Sequence, residues 1–211
     1  MLFRSHQGKP VLTSGQDLEK ASTAMILVHG RGASAADILM LASELARPDM
    51  AYLAPQAANY TWYPYSFLSP IPQNEPGISS GMHVLAGLVA EIEAAGIPAE
   101  KIVIGGFSQG ACLATEFVAR HAMRYGGVFA FSGGLIGPPG TPRDYAGSLA
   151  GTPVFIGCSD VDFHIPLARV HETTNVLGDM GGNVEARIYP GMGHTINQDE
   201  IDAVQKIVAR I

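Results

Sequence analysis

The chain is short of cysteine, of charge and of long apolar runs, and each shortage removes a class of protein. Its two cysteines, Cys112 and Cys158, cannot staple a small secreted scaffold; both lie in apolar stretches, so free thiols in a reducing cytoplasm are expected. Charged residues make up 15% against 47% hydrophobic, a balance unlike that of disordered chains. Lys and Arg total 13 against 19 Asp and Glu, a formal net charge of −6, with no basic cluster, so no nucleic-acid partner is expected. No apolar run approaches the roughly 20 residues of a bilayer span, so no stable membrane insertion is expected. The start, Met1-Leu2-Phe3-Arg4-Ser5-His6, has no basic segment leading into an apolar one, and no secretory leader is expected. Internal repeats and low-complexity tracts are missing too. The 211 residues suit a single domain, 1–211, with a full-sized core.

What the chain does have is a regular alternation of two kinds of apolar segment. Met25-Ile26-Leu27-Val28 is continuous and bounded by Gly30, as a strand covered on both faces would be. Ala51 to Ala54, Ile102 to Ile104, Val128 to Phe131, Val154 to Ile156 and Val184 to Tyr189 repeat that type. Between them run helical patterns. Met82, Leu85, Leu88 and Ile92 form one stripe that stops at Gly96 and Pro98, and Ile201, Val204, Ile207, Val208 and Ile211 form another. Gln109 to His121 is apolar nearly all round, as in a central, covered helix. Strands alternating with helices predict an α/β fold with a mostly parallel central sheet and helices on both faces. Leu2 to Arg4 with Pro10 to Thr13 would add an antiparallel edge hairpin. Two aperiodic stretches, Pro55 to Gly77 and Gly133 to Gly151, are too long for idle connections and are expected as loops over a site.

The 25 glycines include two that frame Gly106-Phe107-Ser108-Gln109-Gly110, a G-x-S-x-G match. Gly77-Ile78-Ser79-Ser80-Gly81 matches as well, so context has to decide. The chemistry needs a serine on a sharp strand-to-helix turn, with small residues where side chains would collide. Ser108 follows Ile102-Val103-Ile104 and precedes the apolar helix. Ser79 follows Pro70, Pro72 and Pro76, which no central strand tolerates, and it or Ser80 is expected as a helix N-cap. Ser108 is therefore the candidate nucleophile.

A serine hydroxyl needs a base, and the base needs an orienting carboxylate. His194 follows the strand Val184 to Tyr189 through Pro190-Gly191-Met192-Gly193, a turn that lets an imidazole swing over the sheet edge; His29 and His171 suit packing or hydrogen bonding instead. Asp160 and Asp162 both follow the strand that starts at Pro153, and either preserves the chain order Ser, Asp, His. Asp-x-x-Ile-Pro, with Pro166 opening the next helix, favours Asp162 and leaves Asp160 as a turn residue. A metal site at Asp160, Asp162 and His164 is weakly supported, and none is expected. Backbone donors for a developing oxyanion are expected from Gln109, just past the nucleophile, and from Arg31 within His29-Gly30-Arg31-Gly32-Ala33. Cys112, in the helix, and Cys158, at a strand end, are expected as core and structural residues.

Leu27-Val28-His29-Gly30-Arg31-Gly32, Gly105 to Gly110, Asp162 to Pro166 and Tyr189 to His194 together resemble the carboxylesterase, phospholipase and acyl-protein thioesterase family of small α/β-hydrolases. The resemblance implies an α/β-hydrolase fold without a separate cap domain and strengthens Asp162 over Asp160. It implies hydrolysis of carboxylic esters or thioesters; the expected reaction is serine hydrolysis of a small-molecule ester through an acyl-enzyme, with no metal or organic cofactor. Long-acyl thioester or lysophospholipid cleavage is the nearest alternative. Cys158 to Asp160 and Asp162 to His164 also resemble the dienelactone-hydrolase branch, whose nucleophile is a cysteine where this chain has Ser108. A hydrolase-fold binding protein with a repurposed triad is the non-enzymatic alternative. Arg31 stands where the family is usually apolar, either to attract an anionic group or to face water. Trp62, Tyr63, Tyr65, Phe67 and His164 are the candidate pocket wall. An exposed apolar face would serve a homodimer.

Overall fold

The structure is a computed structural model describing residues 5–211. Seven strands form one sheet: β1 (Val11–Gly15), β2 (Thr23–Val28), β3 (Met50–Pro55), β4 (Ile102–Phe107), β5 (Gly127–Phe131), β6 (Pro153–Ser159) and β7 (Asn183–Tyr189), in spatial order β1-β3-β2-β4-β5-β6-β7. All neighbours are parallel except β1, which runs antiparallel along β3. The six parallel strands are those that the apolar runs predict. Of the expected edge hairpin, Val11–Gly15 is the strand that pairs with β3; its other arm, Leu2 to Arg4, lies outside the described residues.

Alternate residues of the strands β2 to β6 feed two cores. Ile26, Ile104 and Val128 point to one face, covered by α3 (Gly77–Ala94), α4 (Gln109–Arg120) and α5 (Leu167–Asp179) through Leu85, Phe117 and Val170. Met25, Val103 and Phe129 point to the other, covered by α1 (Ala35–Leu39), α2 (Leu41–Glu44) and α6 (Gln198–Val208) through Ile38, Ala42 and Val204. The period-two register of these strands makes each of their apolar runs serve both layers.

Two expectations change, for Ser79 and Ser80 and for the 133–151 loop, while the 55–77 stretch borders the site as expected. The helix α3 starts at Gly77 with Pro76 before it, so Ser79 and Ser80 are not caps; they lie in its first turn, where Ser80 Oγ accepts the His6 amide at 2.9 Å. The 55–77 stretch is an ordered strap containing two short 3-10 turns, Ala58–Tyr60 and Ile71–Asn74. The 133–151 loop does not border the cavity described below, because a buried ion network holds it down elsewhere. Glu116 on α4 accepts the Ile136 amide and the Tyr145 hydroxyl, while Arg143 pairs with Glu172 and Arg169 donates to the Leu135 and Gly137 carbonyls. Its link to the site is indirect: the Gly137 amide donates to the Phe67 carbonyl at 2.8 Å.

Candidate active site

Ser108 sits between β4 and α4 with φ 55° and ψ −121°, a conformation that non-glycine residues rarely hold. The turn is possible because its flanks are bare. A Cβ on Gly106 would run into the Val28 carbonyl, and one on Gly110 into the carbonyls of Val28 and His29. The Ser108 amide donates to the Phe131 carbonyl at 2.9 Å, fixing the turn to the neighbouring strand.

From the ends of two further strands come the expected partners. His194 Nε2 lies 2.8 Å from Ser108 Oγ, and its Nδ1 lies 2.7 Å from Asp162 Oδ2. The Asp162 side chain is fully buried, and its other oxygen accepts the amides of His164 at 2.8 Å and Ile165 at 3.1 Å. Burial opposes its charge, but the hydrogen bonds from His194 and those two amides outweigh burial and hold the carboxyl below its ordinary value. The imidazole is flanked by Phe107, 4.8 Å away between ring centroids, and by His164 at 4.7 Å. Asp160 is indeed a turn residue: its Oδ1 accepts the Gly191 amide at 2.8 Å and steadies the loop carrying His194. His29 is buried and hydrogen-bonded as expected, whereas His171 is exposed on α5.

A cavity of about 400 Å³ opens over these residues, lined among others by Arg31, Tyr63, Phe67, His164, Ile165 and His194. Gly30 and Gln109 also border it. Gln109 N is the first amide of α4, and the β2–α1 loop passes so close that a Cβ on Gly30 would stand 3.4 Å from Ser108 Cβ. Such first-turn amides have no carbonyl within their own helix. His29 O accepts from Trp62 Nε1 at 2.9 Å and Gly32 N donates to Tyr60 O at 2.7 Å, which ties the turn on both sides of Gly30 and Arg31 to the 55–77 strap.

Sequence reasoning missed the second task of Gln109. Its side-chain oxygen accepts the Trp62 amide at 2.9 Å and the Thr61 hydroxyl at 3.2 Å, and its amide nitrogen donates to the Tyr63 carbonyl at 2.8 Å. It clamps the 55–77 strap to the elbow. Arg31 does the same from outside: its guanidinium donates to Pro64 O at 2.8 Å and Tyr65 O at 2.6 Å. Trp62 requires correction. It is wholly buried between His6 and His29, with ring centroids 5.0 and 5.2 Å away, and does not line the cavity. Cys112 is buried as expected yet reaches the cavity wall, and Cys158 places its thiol 3.8 Å from Asp162 Oδ2. Among the described residues no three His, Cys, Asp or Glu side chains are grouped to hold a metal, and no helix is long and apolar enough to cross a membrane.

A model of the phospholipase/carboxylesterase family matches residues 10–211. The crystal structure of a phospholipase/carboxylesterase from Dyadobacter fermentans superimposes with TM-score 0.94 at 46% identity, covering 100% of this chain and 99% of that one. Acyl-protein thioesterase 1 of Eremothecium gossypii is 31% identical over 205 residues, 87% of this chain and 86% of the relative. With the Neurospora crassa protein of the same name, identity is 30% over 142 residues, 63% of this chain, so the match spans just over half (55%) of that relative's length. Family model, fold and elbow agree, and this chain belongs to the phospholipase/carboxylesterase family.

Proposed function

We propose that the chain is a serine hydrolase that cleaves small carboxylic esters through an acyl-enzyme. The observation that carries this is the chain of short contacts from Ser108 Oγ through His194 to Asp162, 2.8 and 2.7 Å, at the mouth of the cavity. In this reading His194 Nε2 takes the Ser108 proton as Oγ attacks the ester carbonyl carbon. Asp162 fixes the Nδ1–H tautomer and stabilises the imidazolium that forms. The carbonyl oxygen, now negative, lies against the amides of Gln109 and Arg31, each such donor being worth about 10²–10³ in rate. The tetrahedral intermediate collapses as His194 protonates the leaving alcohol. Water, deprotonated by His194, then repeats the attack on the acyl-enzyme and releases the acid. The buried free thiols fit a reducing cytoplasm as its compartment.

The test is Ser108→Ala. It should lower p-nitrophenyl butyrate hydrolysis by at least about 10³-fold while leaving the melting curve in place. A fluorophosphonate should label wild type at Ser108 and not the variant. A variant with wild-type turnover would refute the assignment. A second reading, thioester cleavage, is favoured by the relatives named acyl-protein thioesterase. Parallel assays of esters and thioesters with the same acyl group, graded in length, separate the two by kcat/KM.

A further inference from the structure

The sheet ends at β7, which pairs with β6 alone. The main-chain groups of a strand alternate in direction, and two bonds set the parity here. The Asn183 amide donates to the Thr152 carbonyl at 2.8 Å, and the Tyr189 carbonyl accepts the Asp160 amide at 3.3 Å. The odd-numbered residues of β7 therefore face β6, and the amides and carbonyls of Val184, Ala186 and Ile188 point off the edge. Among the described residues no turn, cap or side chain bonds to them. Such a row is a template for another strand unless proline, a bulge or charge blocks it. The strand has neither proline nor glycine. Its charges are Glu185 and Arg187, and whether they repel a second strand depends on register.

The side chains sort by face. Val184 and Ile188 are half-buried against the core that α5 covers. Glu185 and Arg187 lie on the α6 face, where Arg187 Nε donates to Glu185 Oε1 at 2.8 Å and Nη1 to Asp199 Oδ2 at 2.7 Å. Outward residues can pair only with outward residues, so a two-fold antiparallel copy must be centred on one residue of the strand. Centred on Glu185 or on Arg187, it sets like charges face to face, which is unfavourable. Centred on Val184 or Ile188, it shortens the overlap and leaves both charges unmatched. Centred on Ala186, it sets Glu185 opposite the partner's Arg187 on the α6 face, twice by symmetry. On the α5 face Val184 stands opposite the partner's Ile188, an apolar pair. The outward amides and carbonyls of both copies then bond to each other along the whole edge.

Independently of the hydrolase reading, we propose that β7 is a homodimer interface, joining a second copy of this chain antiparallel about Ala186 into one continuous sheet. The surface that serves a homodimer is then a sheet edge with a charge pattern, and not an exposed apolar face. In this arrangement the carboxyl ends of the strands, which carry Ser108 and His194, point opposite ways in the two copies. Both cavities stay open.

Sedimentation velocity across a series from about 5 to 200 µM protein reads the equilibrium by mass action. Wild type should move toward twice the monomer mass as concentration rises. Ala186→Pro removes an outward N–H, a change that edge strands tolerate, and should stay monomeric throughout with unchanged far-ultraviolet circular dichroism. Glu185→Arg sets two guanidinium groups face to face and should weaken association by about tenfold or more. Adding Arg187→Glu restores the alternation of charge and should recover the dimer. The charge variants sit at the exposed edge and decide the matter even where Ala186→Pro fails to fold. Wild type that stays monomeric at the top of the series overturns the inference. So does a dimer that Glu185→Arg or folded Ala186→Pro leaves at full strength, or a double charge variant no better than the single one. Fluorophosphonate labelling of Ser108 tests the hydrolase reading separately.

Discussion

Both variable positions of the elbow motif are occupied by working side chains. Phe107 packs against the His194 ring, and Gln109 borders the cavity while its side chain makes three hydrogen bonds to the strap. Gln109 is 6% exposed, so removing the carboxamide strands the Trp62 amide in a dry site. Gln109→Leu should cost about 2–3 kcal/mol of unfolding free energy. Because the strap also forms one cavity wall, kcat/KM should fall about 10- to 100-fold, the scale of a small misplacement of reacting groups. Urea titration and ester kinetics check the two halves; unchanged stability would mean that the strap is held by other contacts. Ser108, Asp162 and His194 were legible in the sequence because each is announced by its own neighbours: bare glycines, a preceding apolar strand, a following proline or helix. The clamp was not, since Gln109 and Trp62 are 47 positions apart and nothing local to either names the other. Trp62 was misplaced for the same reason. A proline-rich aromatic stretch reads as a wall whether its rings face the cavity or the core.

At the scale of elements, burial on both faces made β2 to β6 readable as continuous apolar runs. The strand β1 is exposed at every residue, so no apolar run marks it, and the sequence showed only Pro10 to Thr13 of it, as one arm of an edge hairpin. The start of α6 holds a feature that no pattern shows. Asn197 and Glu200 form a capping box, the Asn197 side chain accepting the Glu200 amide at 3.0 Å and Glu200 Oε2 accepting the Asn197 amide at 2.9 Å. The other oxygen, Oε1, is buried without a partner against Gly157 of β6, where any Cβ would collide with it. Burial, with a smaller push from Asp199, raises the Glu200 carboxyl from 4.5 to about 7. A carboxyl raised on folding holds its proton longer in the folded state. Stability is therefore lost as pH climbs from 4.5 through 7, by up to about 3 kcal/mol. Glu200→Gln keeps a capping-box side chain and removes the charge. Its melting temperature should match wild type near pH 4.5 and exceed it by several degrees at pH 8. A variant that melts below wild type at pH 8 would show that the ionised cap is worth more than its burial costs.

Across the whole molecule, two histidines oppose that trend. His6 accepts the Ala58 amide at Nδ1 and holds the Trp62 carbonyl from Nε2, at 3.0 and 2.9 Å. His29 accepts the Ala57 amide at Nε2, 3.0 Å, and holds the Gly30 carbonyl from Nδ1, 2.8 Å. Each ring thus accepts with one nitrogen and donates with the other, which only the neutral form can do. Burial, the leading cause at both, lowers their pKa below 6.5. Below that value the unfolded chain binds more protons, so these two rings cost stability as pH falls, the reverse of Glu200. In wild type the opposing slopes overlap between pH 4.5 and 6.5 and flatten the profile; in Glu200→Gln the acid loss should stand alone and steepen. Both rings hold the same strap, and the chain's single tryptophan packs between them, so its fluorescence reports on the place where protonation acts. Acidifying Glu200→Gln from pH 7 to 5 should red-shift Trp62 emission, with loss of esterase activity, at a pH where far-ultraviolet circular dichroism still reads native helix. Emission that stays blue until the helices melt would show that the strap and the sheet unfold as one unit, and that the two histidines do not govern the acid limit of the site.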